Sequence, residues 1–588
     1  THMRTQASIL ALLAAVLAGC GESATPAAET QVAETATQPA AQPATPATAS
    51  AGFTAAELAA ADTIKPDDLR AVVAEIADDR YQGRGPGSVG DILARQYLIQ
   101  QMTALGLQPG GENGSWEQPF SLVGINAVQP PVWLFSGNDN SIQLLQHDDY
   151  IAASGVQAPV AELNAAEVVF VGYGIEAPEY QWDDFKDVDL TGKVLLMLNN
   201  DPDWDPSLFA GDTRLYYGRW MYKYESAARQ GAAGAIIIHT SLSAGYPWQT
   251  VQTSWTGEQF ELPALDEPRI QVKGWVTEEA ATKMVALAGF ELGSLMEQAR
   301  QPDFTPVPLG VTTSLLLNTA VASTTSANVI GVLPGSDPTL ASEAVIYTAH
   351  HDHLGMAEPA GVEGEDVIYN GALDNASGVA QVLQVAAAFK ALPEAPRRTL
   401  MFNFVGAEEQ GLLGSQYYAA HPTLAPGKIA ANINLDGGAI WGRMRDLVYI
   451  GYGKSSLDAV VEEVAAFQQR TVTPDQFPDR GYFYRSDQFN FAKIGVPALY
   501  LDGGTDIIGQ PAGWGEEQIN RFTDVDYHQP SDELTDSWNF DGMVQDAQAN
   551  FLVGLRIANT DAMPTWNAGD EFEAARLESL QQLKAATP

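Results

Sequence analysis

At 588 residues the chain is too long for one compact core, so two or more domains are expected. Its 73 Asp and Glu against 31 Lys and Arg give a net charge of −42, which excludes a nucleic-acid partner because phosphates would be repelled. A hydrophobic content of 45% with 18% charged residues is ordinary for a globular protein.

The first segment reads as an address. Arg4 precedes the apolar run ILALLAAVLAGC, which is too short for a mature membrane helix and has the form of a secretory signal core. It ends in Leu17-Ala18-Gly19-Cys20, which resembles a bacterial lipobox. That resemblance implies cleavage before Cys20, lipidation of its thiol, and membrane attachment through an N-terminal lipid anchor. The expected location is the bacterial cell envelope, periplasm-facing or at the outer membrane or cell surface. Cys20 is the sole cysteine, so neither an intrachain disulfide nor a cysteine-based zinc site can form. Residues 21–52 are rich in Ala, Thr and Pro and nearly free of bulky apolar side chains, the composition of a disordered tether.

Helical spacing of three and four begins near AAELAAADTI and continues through PDDLRAVVAEIADD and VGDILARQYLIQQMTALG. From about 130 to 320 the texture changes to short β-like runs, among them AEVVFVGYGI, GKVLLML, GAAGAIIIHT and VTTSLLL. From about 325 strand and helix patterns alternate. ANVIGVLPG, AVIYTAHHD, RTLMFNFVG, IAANINLDG, DLVYIGYG and VPALYLDG are the strand candidates, and ASGVAQVLQVAAAFKAL is the clearest helix. Such alternation predicts an α/β fold: a mixed, mostly parallel sheet flanked by helices.

Sheets of this kind bind ligands beyond the carboxyl ends of their strands. AVIYTA runs into His350-His351-Asp352-His353, LMFNFV into Gly406-Ala407-Glu408-Glu409, and ANINL into Asp436. Asp374 lies in the loop GALDNASG before a helix, and His528 in DVDYHQPSDE after the last strand. Side chains two apart on a strand face the same way, which pairs His350 with Asp352 and His351 with His353. Either His350 binds a metal and Asp352 orients it, or His351 and His353 join a third His in a mononuclear site. The carboxylates at the same edge favour the first, because a mixed His/carboxylate set suits a pair of divalent ions sharing a bridging carboxylate. His351 and His353 are then packing or pocket-wall residues. Adjacent Glu side chains point oppositely on extended backbone, so both can serve the site only if Gly406-Ala407 makes a tight turn.

The motifs AHHDHLG, GALDNASG, GAEEQGLLGS, NLDG and YHQPSDE, in that order, resemble the M28 family of co-catalytic zinc peptidases. The resemblance implies two Zn ions per chain, with Co or Mn as substitutes. It assigns His350 and Glu409 to one metal, Asp436 and His528 to the other, and Asp374 to the bridge. Glu408 becomes the general base, Asp352 the orienter of His350, Tyr527 an oxyanion donor, and the Asp374–Asn375 peptide is expected to be cis. Arg485, Ser486 and Asp487 fall where this family builds its substrate pocket. VVFVGYGI, DLTGKVLLM and YESAARQGAAGAIIIHT resemble a protease-associated (PA) domain, which implies a lid rather than chemistry. The expected organisation is a signal over 1–20, a tether over 21–52, and a catalytic domain over 53–130 and 321–560. That domain is interrupted by a β-rich PA-like insert over 131–320, and a tail covers 561–588. The expected function is N-terminal exopeptidase action on peptides. A glutamate-type carboxypeptidase of the same fold, a single-metal glutaminyl cyclase and a non-enzymatic receptor are the alternatives.

Overall fold

The computed structural model describes residues 52–359 and 361–586. The expected lipobox, with Cys20, and nearly all of the expected tether lie outside those residues. Among the described residues no helix is long and apolar enough to cross a membrane.

The three helical patterns before residue 110 form helices Ala55–Ala61, Pro66–Ile76 and Val89–Ala104. Thr54 and Glu57 close a capping box on the first, and Ser88 caps the third. Each later strand candidate is a strand. Thr399–Val405, Ala344–His350, Ile429–Asn434 and Ala498–Gly503 lie side by side and parallel. Antiparallel neighbours flank them: Val329–Leu333 beside Thr399–Val405, and Asp446–Ile450 beside Ala498–Gly503. The sheet is therefore mixed and mostly parallel. Every residue of Ala344–His350 is buried, as a strand covered on both faces must be. Helices Ser377–Ala391 and Asp541–Asn559 cover one face, with Phe389, Phe402 and Phe551 in a common core. Leu413–Ala420 and Gln488–Lys493 cover the other, where Tyr418 meets Phe491.

The segment expected to be a separate insert has its own cores. One gathers Trp133, Phe170, Ile236 and Leu317, the other Leu195, Ile237 and Trp275. Its parallel strands Val160–Phe170, Val194–Leu198, Gly234–His239 and Val272–Thr277 are joined by helices such as Trp220–Arg229, so it is less purely β than its texture predicts. The expected edge at 320/321 falls inside one continuous strand, Val307–Leu333. Its first part alternates between buried and exposed while it pairs in the insert. Its last part, from Ser326 on, is buried except for the half-buried Val332 where it enters the catalytic sheet. Together with Glu117–Val128 it forms an antiparallel ribbon that ties the two sheets into one unit.

Candidate metal centre

His350 is the last residue of its strand, so its backbone is fixed by the sheet while its imidazole projects beyond the carboxyl edge. Nδ1 is 3.2 Å from the carbonyl of Asp352, and a carbonyl only accepts, so that nitrogen carries the proton. Nε2 is then a lone pair facing two carboxylates, 3.1 Å from Asp374 Oδ1 and 3.1 Å from Asp436 Oδ1. His528 repeats the arrangement from the opposite side. Its Nδ1 is bonded to the Ser254 hydroxyl at 2.7 Å, and its Nε2 lies 3.2 Å from Asp374 Oδ2 and 3.0 Å from Glu409 Oε2. Each oxygen of Asp374 thus meets a different imidazole.

Acceptors aimed at acceptors at this range need a positive charge between them. Burial opposes a charged His528, yet Glu409 and Asp374 outweigh it and hold the ring up to about 10. Burial likewise opposes the charged form of His350, but Glu408 and Asp436 push it well above its ordinary value. Protons can meet this demand in the metal-free chain, and divalent cations meet it with the donor set that hard and borderline ions take. His350, Asp374 and Asp436 present donor atoms that all lie within 4.8 Å of one another. The residues fit a two-metal site.

The carboxylates are distributed around the two imidazoles differently from the pairing the resemblance implies: Asp436 lies 3.1 Å from His350 and Glu409 3.0 Å from His528, although His350, Glu408 and Glu409 also form a possible cation-binding group. The cause is the turn that the Glu pair requires. Ala407 sits at φ 55°, and the amides of Gly411 and Leu412 bond back to the Glu408 carbonyl. Both Glu side chains therefore reach the site from different angles: Glu409 extends to His528, while Glu408 Oε2 lies 3.8 Å from His350 Nε2. Burial drives the Glu408 carboxyl well above the usual range.

Asp352 does more than orient His350. Its carboxylate is 3.8 Å from the ring but accepts the amide protons of Glu408 at 3.0 Å and Glu409 at 3.3 Å. It fixes the turn that carries both glutamates. His351 is a packing residue as expected, with Nε2 on the Ala327 carbonyl at 3.0 Å. His353 is not a bystander, because its Nδ1 lies 2.7 Å from Glu409 Oε1 and holds the oxygen turned away from His528. The Asp374–Asn375 peptide is cis, as the family resemblance implies.

The three expected substrate residues part company. Ser486 lines the small pocket beside the cluster, but its hydroxyl bonds Asp436. Asp487 is 1% exposed and lines neither cavity at the site, which removes it from the substrate surface. Arg485 lines both cavities and donates to the Tyr527 hydroxyl at 3.0 Å. Burial raises the Tyr527 phenol well above its ordinary value, so it stays protonated.

Three residues that sequence reasoning missed complete the scaffold. Asp532 accepts the amides of Leu373 and Asp374 at 2.9 and 3.0 Å and shapes the bridging loop. Arg84, 1% exposed, clamps the carbonyls of His351, Asn370 and Gly371. Ser254 reaches His528 from the insert. Asp532 lies within YHQPSDE and was legible as part of a motif; the other two have no local signal.

Two cavities open from the cluster. One of about 180 Å³ has Trp441, Ile450, Phe477, Tyr500 and Phe522 among its walls. The other, about 750 Å³, lies between the insert and the catalytic sheet.

A profile described as Peptidase family M28 matches residues 328–552, the span that holds every proposed metal ligand. Over that span the chain is similar to peptidase family M28. The chain is also similar to leupeptin-inactivating enzyme 1 of Streptomyces exfoliatus, 30% identical over 231 residues, 38% of this chain and 47% of that one. A probable leucine aminopeptidase 2 of Aspergillus fumigatus is 26% identical over 290 residues, 46% and 52% of the two chains. The chain thus spans about half the length of these curated relatives. An aminopeptidase from Aneurinibacillus sp. strain AM-1 superposes with a TM-score of 0.51 at 18% identity, covering 86% of this chain and 97% of that one, which establishes the shared fold.

Proposed function

We propose that this chain is a zinc-dependent aminopeptidase that cleaves the N-terminal peptide bond of peptides. The observation that carries the reading is Asp374, with one oxygen on His350 and the other on His528, each imidazole already tied at Nδ1. His350 and Asp436 would hold one ion, His528 and Glu409 the other, and Asp374 both. Bound there, a pair of zinc ions lowers the pKa of a water from 15.7 toward about 7 and polarises the scissile carbonyl. Glu408, adjacent to a ligand yet outside both sets, takes the water's proton and returns it to the leaving amine. Its buried carboxyl suits that duty, since a group with an ordinary carboxylate pKa would not hold a proton near neutrality. Tyr527 has its oxygen occupied as acceptor by Arg485, which leaves its O–H free to donate to a developing oxyanion. The small aromatic pocket receives an apolar first side chain, and the carboxylates around the cluster hold the free amino end. Relatives named as a leucine aminopeptidase and a leupeptin-inactivating enzyme support this assignment.

Residues 131–320 act in this proposal as a PA-like wall over the cleft, and Cys20 as a lipid anchor in a bacterial envelope. Membrane partition and acyl labelling that survive Cys20→Ala would remove the anchor. For the chemistry, metal analysis beside leucine p-nitroanilide and N-acetylated peptides decides. Two ions per chain, loss of activity on chelation and inertness of blocked peptides are expected. Full activity after exhaustive chelation would end the two-metal reading.

A further inference from the structure

In a chain with more than two acidic residues for each basic one, three arginines gather beside the histidine and carboxylate cluster with no ion pair to a carboxylate among the described residues, although Arg214 feels the charge of Asp201 and Arg485 that of Asp475. Arg219 is 8% exposed, and its guanidinium makes neither a hydrogen bond nor an ion pair with any described residue; its Nε is buried with no partner. Arg485 makes no ion pair either. It is ringed by Tyr246, Tyr482 and Tyr527, with its guanidinium carbon 5.3 to 5.8 Å from the three ring centres. Arg214 stands behind them, bonded to the Asn200 side chain at 3.0 Å and the Ala244 carbonyl at 3.4 Å, with Nη2 unpartnered. Burial holds Arg219 down to about 10, and the charges of Arg485 and Arg214 push the same way, so these cations feel one another. All remain charged at neutral pH.

Arg219 and Arg485 line the larger cleft together with Glu408, Tyr527 and His528. Arg219 also enters the helix Trp220–Arg229, whose first amides no side chain caps and whose positive end adds to the same field. A buried guanidinium such as that of Arg219, beside two other cations and without an ion-pair partner, is costly unless an anion completes it. A carboxylate is the anion a peptide brings, and guanidinium groups are the side chains that grip it bidentately.

We infer that Arg219 and Arg485 receive the free α-carboxylate of a short peptide, on the leaving-group side of the scissile bond. This rests on the peptidase reading above and narrows it: the substrates are peptides whose own carboxyl end falls within the cleft, rather than the termini of long chains.

The test uses the metal-loaded enzyme on Leu-Gly-Gly and Leu-Gly-Gly-amide. The acid is expected to have a kcat/KM at least about tenfold higher, one charge-assisted contact's worth. Arg219→Gln should bring the acid-to-amide ratio close to one, and Arg219→Lys should keep part of it. Because the ratio is taken within each preparation, partial misfolding cannot imitate the effect, and the wild-type ratio decides even if the variant is lost. Equal rates on acid and amide in the wild type, or an unchanged ratio in Arg219→Gln, would overturn the inference. Leu-Glu-amide favoured over Leu-Gln-amide, with no preference between Leu-Gly-Gly and its amide, would assign the arginines to an acidic side chain instead and overturn it too. Cleavage of N-acetyl-Leu-Gly-Gly that depends on its carboxylate would support the arginine site while sinking the aminopeptidase reading, so the two failures are distinct.

Discussion

The two walls of the cleft are built on opposite principles. On the catalytic side the residues of the cluster are held by neighbours: His350 by the Asp352 carbonyl, Asp436 by Ser486, the backbone of the Glu408–Glu409 turn by the Asp352 carboxylate, the backbone of the Asp374 loop by Asp532. On the facing side the Arg219 guanidinium, which lies over the Trp220 ring, has no hydrogen-bond or ion-pair partner among the described residues. Groups that act on a bond must sit in one geometry, and interlocking hydrogen bonds supply it. Groups that recognise a ligand must keep a valence open for it. The contrast separates chemistry from selection, and substitutions on the two sides should fail in different ways.

The largest effect belongs to the chemical side. Glu408→Gln keeps the shape and removes the proton acceptor, so kcat should fall by about 10³-fold with metal content unchanged. Metal lost along with activity would make Glu408 a ligand and dissolve its separation from Glu409. Tyr527→Phe should lower kcat by about a hundredfold with little change in KM, since its hydroxyl acts on charge that develops during reaction. A change confined to KM would move Tyr527 to the recognition side.

Legibility in sequence follows the same division. That His350, Asp374, Glu409, Asp436 and His528 converge was readable because strand ends converge, and the turn at Ala407 because two adjacent glutamates cannot otherwise serve one site. Which carboxylate faces which imidazole was not, since it depends on the direction in which that turn sends Glu409. The pairing of His351 with His353 assumed that the strand continues, whereas it ends at His350. Beyond that point the period of two has no force, and the rings diverge to Ala327 and Glu409. Most of the fold was legible because hydrophobic period and strand spacing are local properties. Arg84 and Ser254 act across 267 and 274 residues of chain, and no local pattern encodes that.

Acid should find the insert before it exposes the recognition wall. His239 is 4% exposed, with Nε2–H donating to the Tyr246 carbonyl at 3.1 Å and rings of Trp248 and Trp275 at 5.4 and 6.1 Å. Burial pushes its pKa down to about 4, below the 6.5 of the unfolded chain. Between those values the unfolded chain binds the extra proton, so stability is full above pH 6.5 and is lost as pH falls toward 4. The loss approaches about 3 kcal/mol, taking roughly 1.4 kcal/mol per unit. His239→Gln should flatten the fall in melting temperature between pH 7 and pH 4, and a curve as steep as the wild type's would clear this residue.

The smallest effect tests the bond that runs from the insert to His528. Ser254 belongs to the insert, yet it fixes Nδ1 of His528 and so the direction in which Nε2 faces Asp374 and Glu409. If the insert only selects substrates, Ser254→Ala changes KM and leaves metal affinity alone. If it helps to build the centre, one of the two ions weakens while the other does not, because His350 takes its orientation from Asp352 and is untouched. We expect the second outcome: about tenfold weaker binding at the His528 position, the low end for loss of a ligand's hydrogen-bond partner, with the first ion unchanged in a competitive chelator titration. Ser254→Thr, which keeps the hydroxyl, should restore it. The insert would then be a structural part of the metal centre, and its removal would disturb the ion at His528 before it disturbed specificity.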